Sequence, residues 1–366
     1  MVADELVKKG FAFLRFGQIT LDIVKERGLE PNEKIEKEIR EGLRKEHGMA
    51  AFAVLNIPKI DELLEKSDVA VDGLYSWSEY KVLKEKYGDL MSVVAVFAPP
   101  EMRYERLADR SVSGDVAQRF RNFTKEEIAL MREGGRILAK IMQELTKKVK
   151  PGITTESLNR AAEALVSLSG ARCSFLGFNG YPACLCTSVN EEIVHAIPSA
   201  RILKEGDIVS LDMGILYKGF HTDMAVTVPV GRISPEINRL IRVTKKALKR
   251  GIKKAGPYNT FGDISNTIQR YIEDQGFFVI KNLCGHGIGR ELHEDPEILN
   301  YGTRHSGPEI KPGMVFCLEP MVAVGTGEIK KAKDGQAYVT ADGSLSAHFE
   351  HTIVATKNGA KVLTVI

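Results

Sequence analysis

The stretch from Asp207 to Val230 (DIVSLDMGILYKGFHTDMAVTVPV) constrains this chain most, because it sets a carboxylate inside each of two apolar, β-rich runs. The runs flank a turn at Tyr217-Lys218-Gly219. A turn centred on Tyr217-Lys218 opposes Asp212 and Asp223 directly. One centred on Lys218-Gly219 opposes Asp223 to Gly214, two residues from Asp212 and on its face. Either register puts two like charges side by side in apolar surroundings, which is unfavourable unless a cation lies between them. Two solvated aspartates on a surface hairpin are the alternative, and this stretch alone favours it.

Three further segments reverse that preference. Cys284-Gly285-His286-Gly287-Ile288-Gly289 sets a histidine between glycines, where the backbone can approach a ligand and the ring can project. Pro312–Pro320 is an apolar strand carrying Glu319 just before a proline, and Glu350 in Ser346–Thr352 leads into a strand at Thr352–Ala355. A buried, unpaired carboxylate costs several kcal/mol, which a shared dication would offset. Asp212, Asp223, His286, Glu319 and Glu350 suffice for two metal ions bridged by carboxylates. Their oxygen-rich chemistry suits Mn, Fe, Co or Zn.

With GHGIGRELHEDP and LSAHFEHTI around them, these residues resemble the type I methionine aminopeptidases from about Phe123 to Ile366. The resemblance implies an α+β "pita-bread" (creatinase/aminopeptidase) fold of two related αβ halves. It implies a hydrolase that removes the initiator methionine from nascent polypeptides when the second residue is small, by attack of a water or hydroxide bridging two metals. Glu319 would be both ligand and proton shuttle. His293 would stabilise the developing oxyanion and position the substrate, and His195 would contact the scissile amide. Tyr181 and Cys186 match the family's methionine pocket. Phe175, Phe178, Leu292 and Gln336 depart from the better-known bacterial pattern, so the chemistry is on firmer ground than the pocket. A proline-specific aminopeptidase or dipeptidase of the same fold is the alternative.

Residues 1–110 alternate helical and strand-like segments, with a helix near Glu33–His47, apolar runs at Asp68–Val71 and Met91–Phe97, and a basic helical segment at Pro100–Arg110. VADELVKKGFAFLRFG, Leu43–Gly48, Val71-Asp72-Gly73 and the lid-like Arg103, Arg106 and Arg110 resemble an archaeal family related to adenylate kinases and dephospho-coenzyme A kinase. The implied fold is an incomplete P-loop-kinase-like α/β fragment. No G-x-x-x-x-G-K-[ST] sequence occurs, and Met1 falls where that loop would end. We therefore expect a truncated module without phosphoryl transfer. A start upstream would restore a bifunctional protein with nucleotide kinase activity. Ser111–Asn122 reads as the linker. A capping box at Thr124 and Glu127 opens the catalytic domain, whose first helix stops at Pro151-Gly152, and further helices are expected at Thr155–Ser169, Pro235–Ala255 and Phe261–Gln275.

The net charge of +3 is small and the basic residues are dispersed, so neither DNA nor a membrane surface is an expected partner. The segment MVADELVKKGFAFLRFG has no apolar core of signal-peptide length. The five cysteines are an odd number, which points to reduced thiols rather than a disulfide framework. A cytoplasmic monomer acting on nascent chain N-termini, including those at the ribosome, is the expectation.

Overall fold

In the computed structural model of the chain, residues 2–30, 33–74, 76–93 and 122–366 are described. The chain divides into two compact units, Met1–Ala98 and Pro99–Ile366.

The first unit pairs Ala12–Arg15 in parallel with Val69–Asp72. Parallel neighbours need a crossover, supplied here by the helices Gln18–Glu26, Glu33–His47 and Ala51–Leu64. Leu14, Phe16, Phe52, Ala53, Ile60 and Leu83 form its core. The buried Asn56 amide satisfies itself by donating to the Phe16 and Phe52 carbonyls. Trp77–Tyr87 begins with a capping box between Ser76 and Glu79. The apolar run expected over Met91–Phe97 follows a 3-10 turn at Gly88–Leu90 and carries no strand at Met91, Ser92 or Val93. Its remainder lies outside the described residues, as do Pro100–Arg110 with its three arginines and the linker up to Arg121.

In the second unit, Thr124 and Glu127 form the capping box that opens the helix Lys125–Lys148. Leu138, Ile141, Met142 and Leu145 from this helix pack with Leu158, Ala162 and Val166 of Thr155–Ser169 against one face of a sheet. That sheet is built on the antiparallel hairpin of Ile208–Tyr217 and Phe220–Pro229. Arg172–Cys173 and Cys186–Val189 add along the hairpin's other edge. A second helix pair, Pro235–Lys254 and Phe261–Asp274, covers another core with Phe316, Leu318, Ile353 and Ala355. The five-stranded sheet beside it runs Glu294–Leu299, Cys284–Gly287, Val315–Leu318, His351–Thr356, Gly359–Val362. Each half thus sets two amphipathic helices on the back of a sheet. Among the described residues, no helix is long and apolar enough to cross a membrane.

The cysteines correct the sequence reading. Cys173 and Cys184 are joined in a disulfide, with Cα atoms 5.3 Å apart, and Cys186, Cys284 and Cys317 remain outside any disulfide. Both strands that flank the 173–184 loop pair with Ile208–Tyr217, which returns the two sulfurs to one place. Parity of the cysteine count carried no information about that folding back.

Candidate functional site

The hairpin takes the second of its two possible registers: Tyr217 faces Phe220 across Lys218-Gly219, and Gly214 faces Asp223. Asp212, two residues from Gly214, therefore shares Asp223's face of the sheet. Thr352 fixes Asp223 from the other half, its hydroxyl donating to the Asp223 carbonyl and accepting from the Asp223 N–H, both at 2.8 Å. Glu350 is tied to the same hairpin by its N–H, which donates to the Ala225 carbonyl at 2.9 Å. Carboxylate oxygens of Asp212, Asp223 and Glu350 consequently lie within 4.8 Å of one another, and all three residues are buried.

His286 enters from the glycine-rich strand. A Cβ on Gly285 would run into the Cys317 carbonyl, and one on Gly287 into the Asp295 carbonyl. Only glycine lets this strand lie so close to its neighbours. His286 Nδ1–H donates to the Gly287 carbonyl at 2.9 Å, leaving Nε2 free 3.6 Å from Glu319 Oε1. A hydrogen bond at the other ring nitrogen is the usual way to fix a ligating histidine.

The electrostatics of these groups ask for a cation. Burial, and after it the charge of Asp223, raises Asp212 well above the carboxylate range. Burial raises Asp223 to about 7. Glu319 and Glu350 are raised by burial first and by neighbouring carboxylates second. Burial lowers His286 to about 3, so its ring is a neutral donor for a metal. Asp212 Oδ1 and Glu350 Oε1 are buried without a hydrogen-bond partner. Orphaned carboxylate oxygens beside a free imidazole nitrogen are the chemistry of a divalent metal site, and the residues present fit one.

These groups form the floor of a cleft of about 760 Å³. Phe175, Phe178, Tyr181, Cys186 and Leu292 line one part of it, so each pocket residue named from the sequence reaches the same space as the carboxylates. The Phe178 ring meets the His293 ring edge-on at 5.1 Å, and His293 lies 4.2 Å from the His286 ring. His195 and His293 keep solvent-exposed edges in the cleft, and desolvation by its walls lowers both pKa values. Tyr181 anchors its part of the wall by donating from its hydroxyl to the Ala196 carbonyl at 2.9 Å. Gln336 lines the cleft with Lys331 and Tyr338.

Sequence reasoning missed two buried neighbours. His348 is 1% exposed with Nε2 3.7 Å from Glu319 Oε2. Its signal was its place two residues before Glu350. Cys317 lies with His286 and Glu350 in a second cluster of possible ligand atoms. Burial, then the charge of Glu350, keeps its thiol protonated and so a poor ligand.

A model of metallopeptidase family M24 matches residues 129–357, the span that contains this cleft. The chain belongs to metallopeptidase family M24. Its M24 region is 48% identical to a methionine aminopeptidase of Clostridium perfringens over 242 residues, 66% of this chain and 97% of that one. The methionine aminopeptidase structure from Thermotoga maritima superposes with a TM-score of 0.67 at 42% identity, covering 68% of this chain and all of that one. An Xaa-Pro dipeptidase from Bacillus anthracis shares the fold at 20% identity and a TM-score of 0.55, over 85% of this chain and 82% of its own. The M24 unit therefore has the pita-bread fold, and as a metallopeptidase it uses metal.

Proposed function

We propose that residues 123–366 form a methionyl aminopeptidase, which removes the initiator methionine from nascent polypeptides when the second residue is small. The observation that carries this reading is one cleft in which a metal-ligating floor adjoins an apolar, aromatic-walled pocket. Such a pocket suits a single unbranched apolar side chain, and the near-half identity to a methionine aminopeptidase over this region agrees.

Asp212, Asp223, His286, Glu319 and Glu350 would hold two divalent cations, Mn, Fe, Co or Zn. When bound, these supply Lewis acidity and a water nucleophile near neutral pH. Glu319 takes a proton on its carboxylate and returns it to the leaving amine. His293, pressed between Phe178 and His286, donates to the substrate carbonyl oxygen as charge develops there. His195 hydrogen-bonds the scissile amide. Phe175, Phe178, Tyr181 and Cys186 hold the methionine side chain, whose full burial contributes about 1.5–3 kcal/mol.

The natural substrate is then a nascent chain met in the cytoplasm, at the ribosome, by a monomer. Residues 1–110 are inferred to be a separate nucleotide-kinase-like module. The parallel strand pair with helical crossovers supports the α/β part of that reading. Comparing release of methionine from Met-Ala-Ser with cleavage of Ala-Pro-Ser, alongside metal analysis, tests the proposal on the full-length protein and on residues 122–366. Preferential cleavage of the proline peptide would replace it with a dipeptidase reading. ATP binding by the full-length protein would restore the kinase alternative.

A further inference from the structure

The pocket wall is a covalent loop. Phe175, Phe178 and Tyr181 all lie between Cys173 and Cys184, which are 11 apart in sequence and disulfide-bonded. The loop is a chain of tight turns, with positive φ at Gly177, Asn179 and Gly180. It closes on itself through the Gly177 N–H to the Tyr181 carbonyl at 2.8 Å and the Tyr181 N–H to the Phe178 carbonyl at 2.9 Å. Leu176, within it, is 55% exposed. On its entry side the loop is held by the two-residue strand Arg172–Cys173 and by Ser174, whose N–H donates to the Gly214 carbonyl at 3.0 Å. The metal ligands are held differently. Asp212 and Asp223 sit in a hairpin paired along its full length, and Asp223 and Glu350 carry further bonds between the two halves.

We propose that the Cys173–Cys184 disulfide is a specificity-determining staple: it fixes Phe175 and Phe178 in place, so capture of N-terminal methionine depends on its redox state while metal binding does not. This rests on the function proposed above. Cys184 is fully buried and Cys173 only half-buried, which makes the Cys173 sulfur the point of attack by a dithiol reductant. One reductant thiolate bonds to Cys173 Sγ as the S–S bond breaks, and Cys184 leaves as a thiolate that takes a proton. The reductant's second thiolate then displaces Cys173, so the reductant is oxidised to its own disulfide as the protein gains two electrons and two protons.

The experiment uses full-length protein. Denatured without reductant it should show the three thiols of Cys186, Cys284 and Cys317, and five after reduction. Treatment with a non-chelating phosphine should raise KM for Met-Ala-Ser about tenfold, the scale of releasing two ordered aromatic side chains, with kcat within about twofold. Cys173→Ser should match the reduced protein and be indifferent to phosphine, and Cys173→Ala with Cys184→Ala provides a second variant should serine disturb the fold. Calorimetry with free methionine gives a readout apart from catalysis, with affinity falling by a similar factor on reduction. Redox-dependent methionine binding without peptidase activity would keep the staple and sink the aminopeptidase reading. Five thiols in unreduced protein, or KM and methionine affinity unchanged on reduction, would overturn the staple.

Discussion

Stripping the metal should force the site to take up protons. Asp212, Asp223 and Glu350 present oxygens within 4.8 Å of one another. At that spacing two unit charges repel by about 3.5 kcal/mol at an effective dielectric of about 20, so three ionised carboxylates carry roughly 10 kcal/mol. That rivals the whole stability of an ordinary domain, about 5–15 kcal/mol. Metal-free protein must therefore hold protons that the metal displaces. Asp223, raised by burial from 3.8 to about 7, binds its proton more tightly folded than unfolded. Its contribution is complete below about pH 4 and is lost as pH rises through about 7. The upward shifts of Asp212, Glu319 and Glu350 act in the same sense. Burial lowers His286 to about 3 and His195 to about 4, which acts in the opposite sense below about pH 6.5. The carboxylates are therefore read by proton release rather than by the pH dependence of melting, and Mn should raise the melting temperature of the chelated protein near pH 7. Titrating Mn into the chelated protein in buffers of different ionisation enthalpy should release at least one proton per chain. Absence of proton release on Mn binding near pH 7 would refute the reasoning.

Four substitutions separate the parts of the site. Asp223→Ala or His286→Ala should abolish methionine release and lower bound metal in elemental analysis, and normal activity in either would end the metal-site assignment. His293→Ala should reduce kcat by about two orders of magnitude, as loss of one oxyanion donor does, with metal content unchanged. Phe178→Ala removes half-buried pocket wall and should raise KM for Met-Ala-Ser by about tenfold through lost apolar contact, read from initial rates.

The halves of the site differed in how legible they were. Asp212 and Asp223 could be placed on one face from the order of residues alone, because strand periodicity is two and both candidate registers gave that answer. The register itself was not readable, since Tyr217-Lys218-Gly219 admits two turns; the observed pairing of Tyr217 with Phe220 uses Lys218 at φ 49° and Gly219 at φ 84°. His286, Glu319 and Glu350 were legible as chemistry out of place, a histidine among glycines and carboxylates on apolar strands. Which space they shared was not, because Glu319 follows and Glu350 precedes strands that pair with each other, and the link to the hairpin, such as the Glu350 N–H to the Ala225 carbonyl, is long-range. The disulfide failed for the same reason. Cys173 and Cys184 meet only after two separate strands have paired with the Ile208–Tyr217 strand, an event that cysteine spacing does not encode. His348 and Cys317 escaped notice because each looks like an ordinary core residue until its neighbour is known to be a ligand.

That contrast bears on how the proposed ligands and the pocket would each respond to substitution. A ligand residue is bound into the molecule on several sides: Asp223 is paired along the hairpin and clasped by Thr352 through both its N–H and its carbonyl. Moving it would break backbone bonds in both halves, so a change there disturbs the fold and the metal together. Phe175 and Phe178 sit in a loop tied to the body by backbone N–H groups near its ends, from Ser174 to the Gly214 carbonyl and from Cys184 to Asn159 Oδ1. The two rings themselves make only side-chain contacts, Phe175 over Gly214 and Phe178 on His293. Exchanging such a side chain alters the width of the pocket without breaking a sheet bond. Substrate preference is accordingly the property of this site most open to change by single substitutions, and metal affinity the least. A Phe175→Cys and Phe178→Tyr double variant should therefore shift KM between methionine peptides while leaving metal stoichiometry untouched. Loss of metal in that variant would mean that loop and floor are mechanically coupled after all.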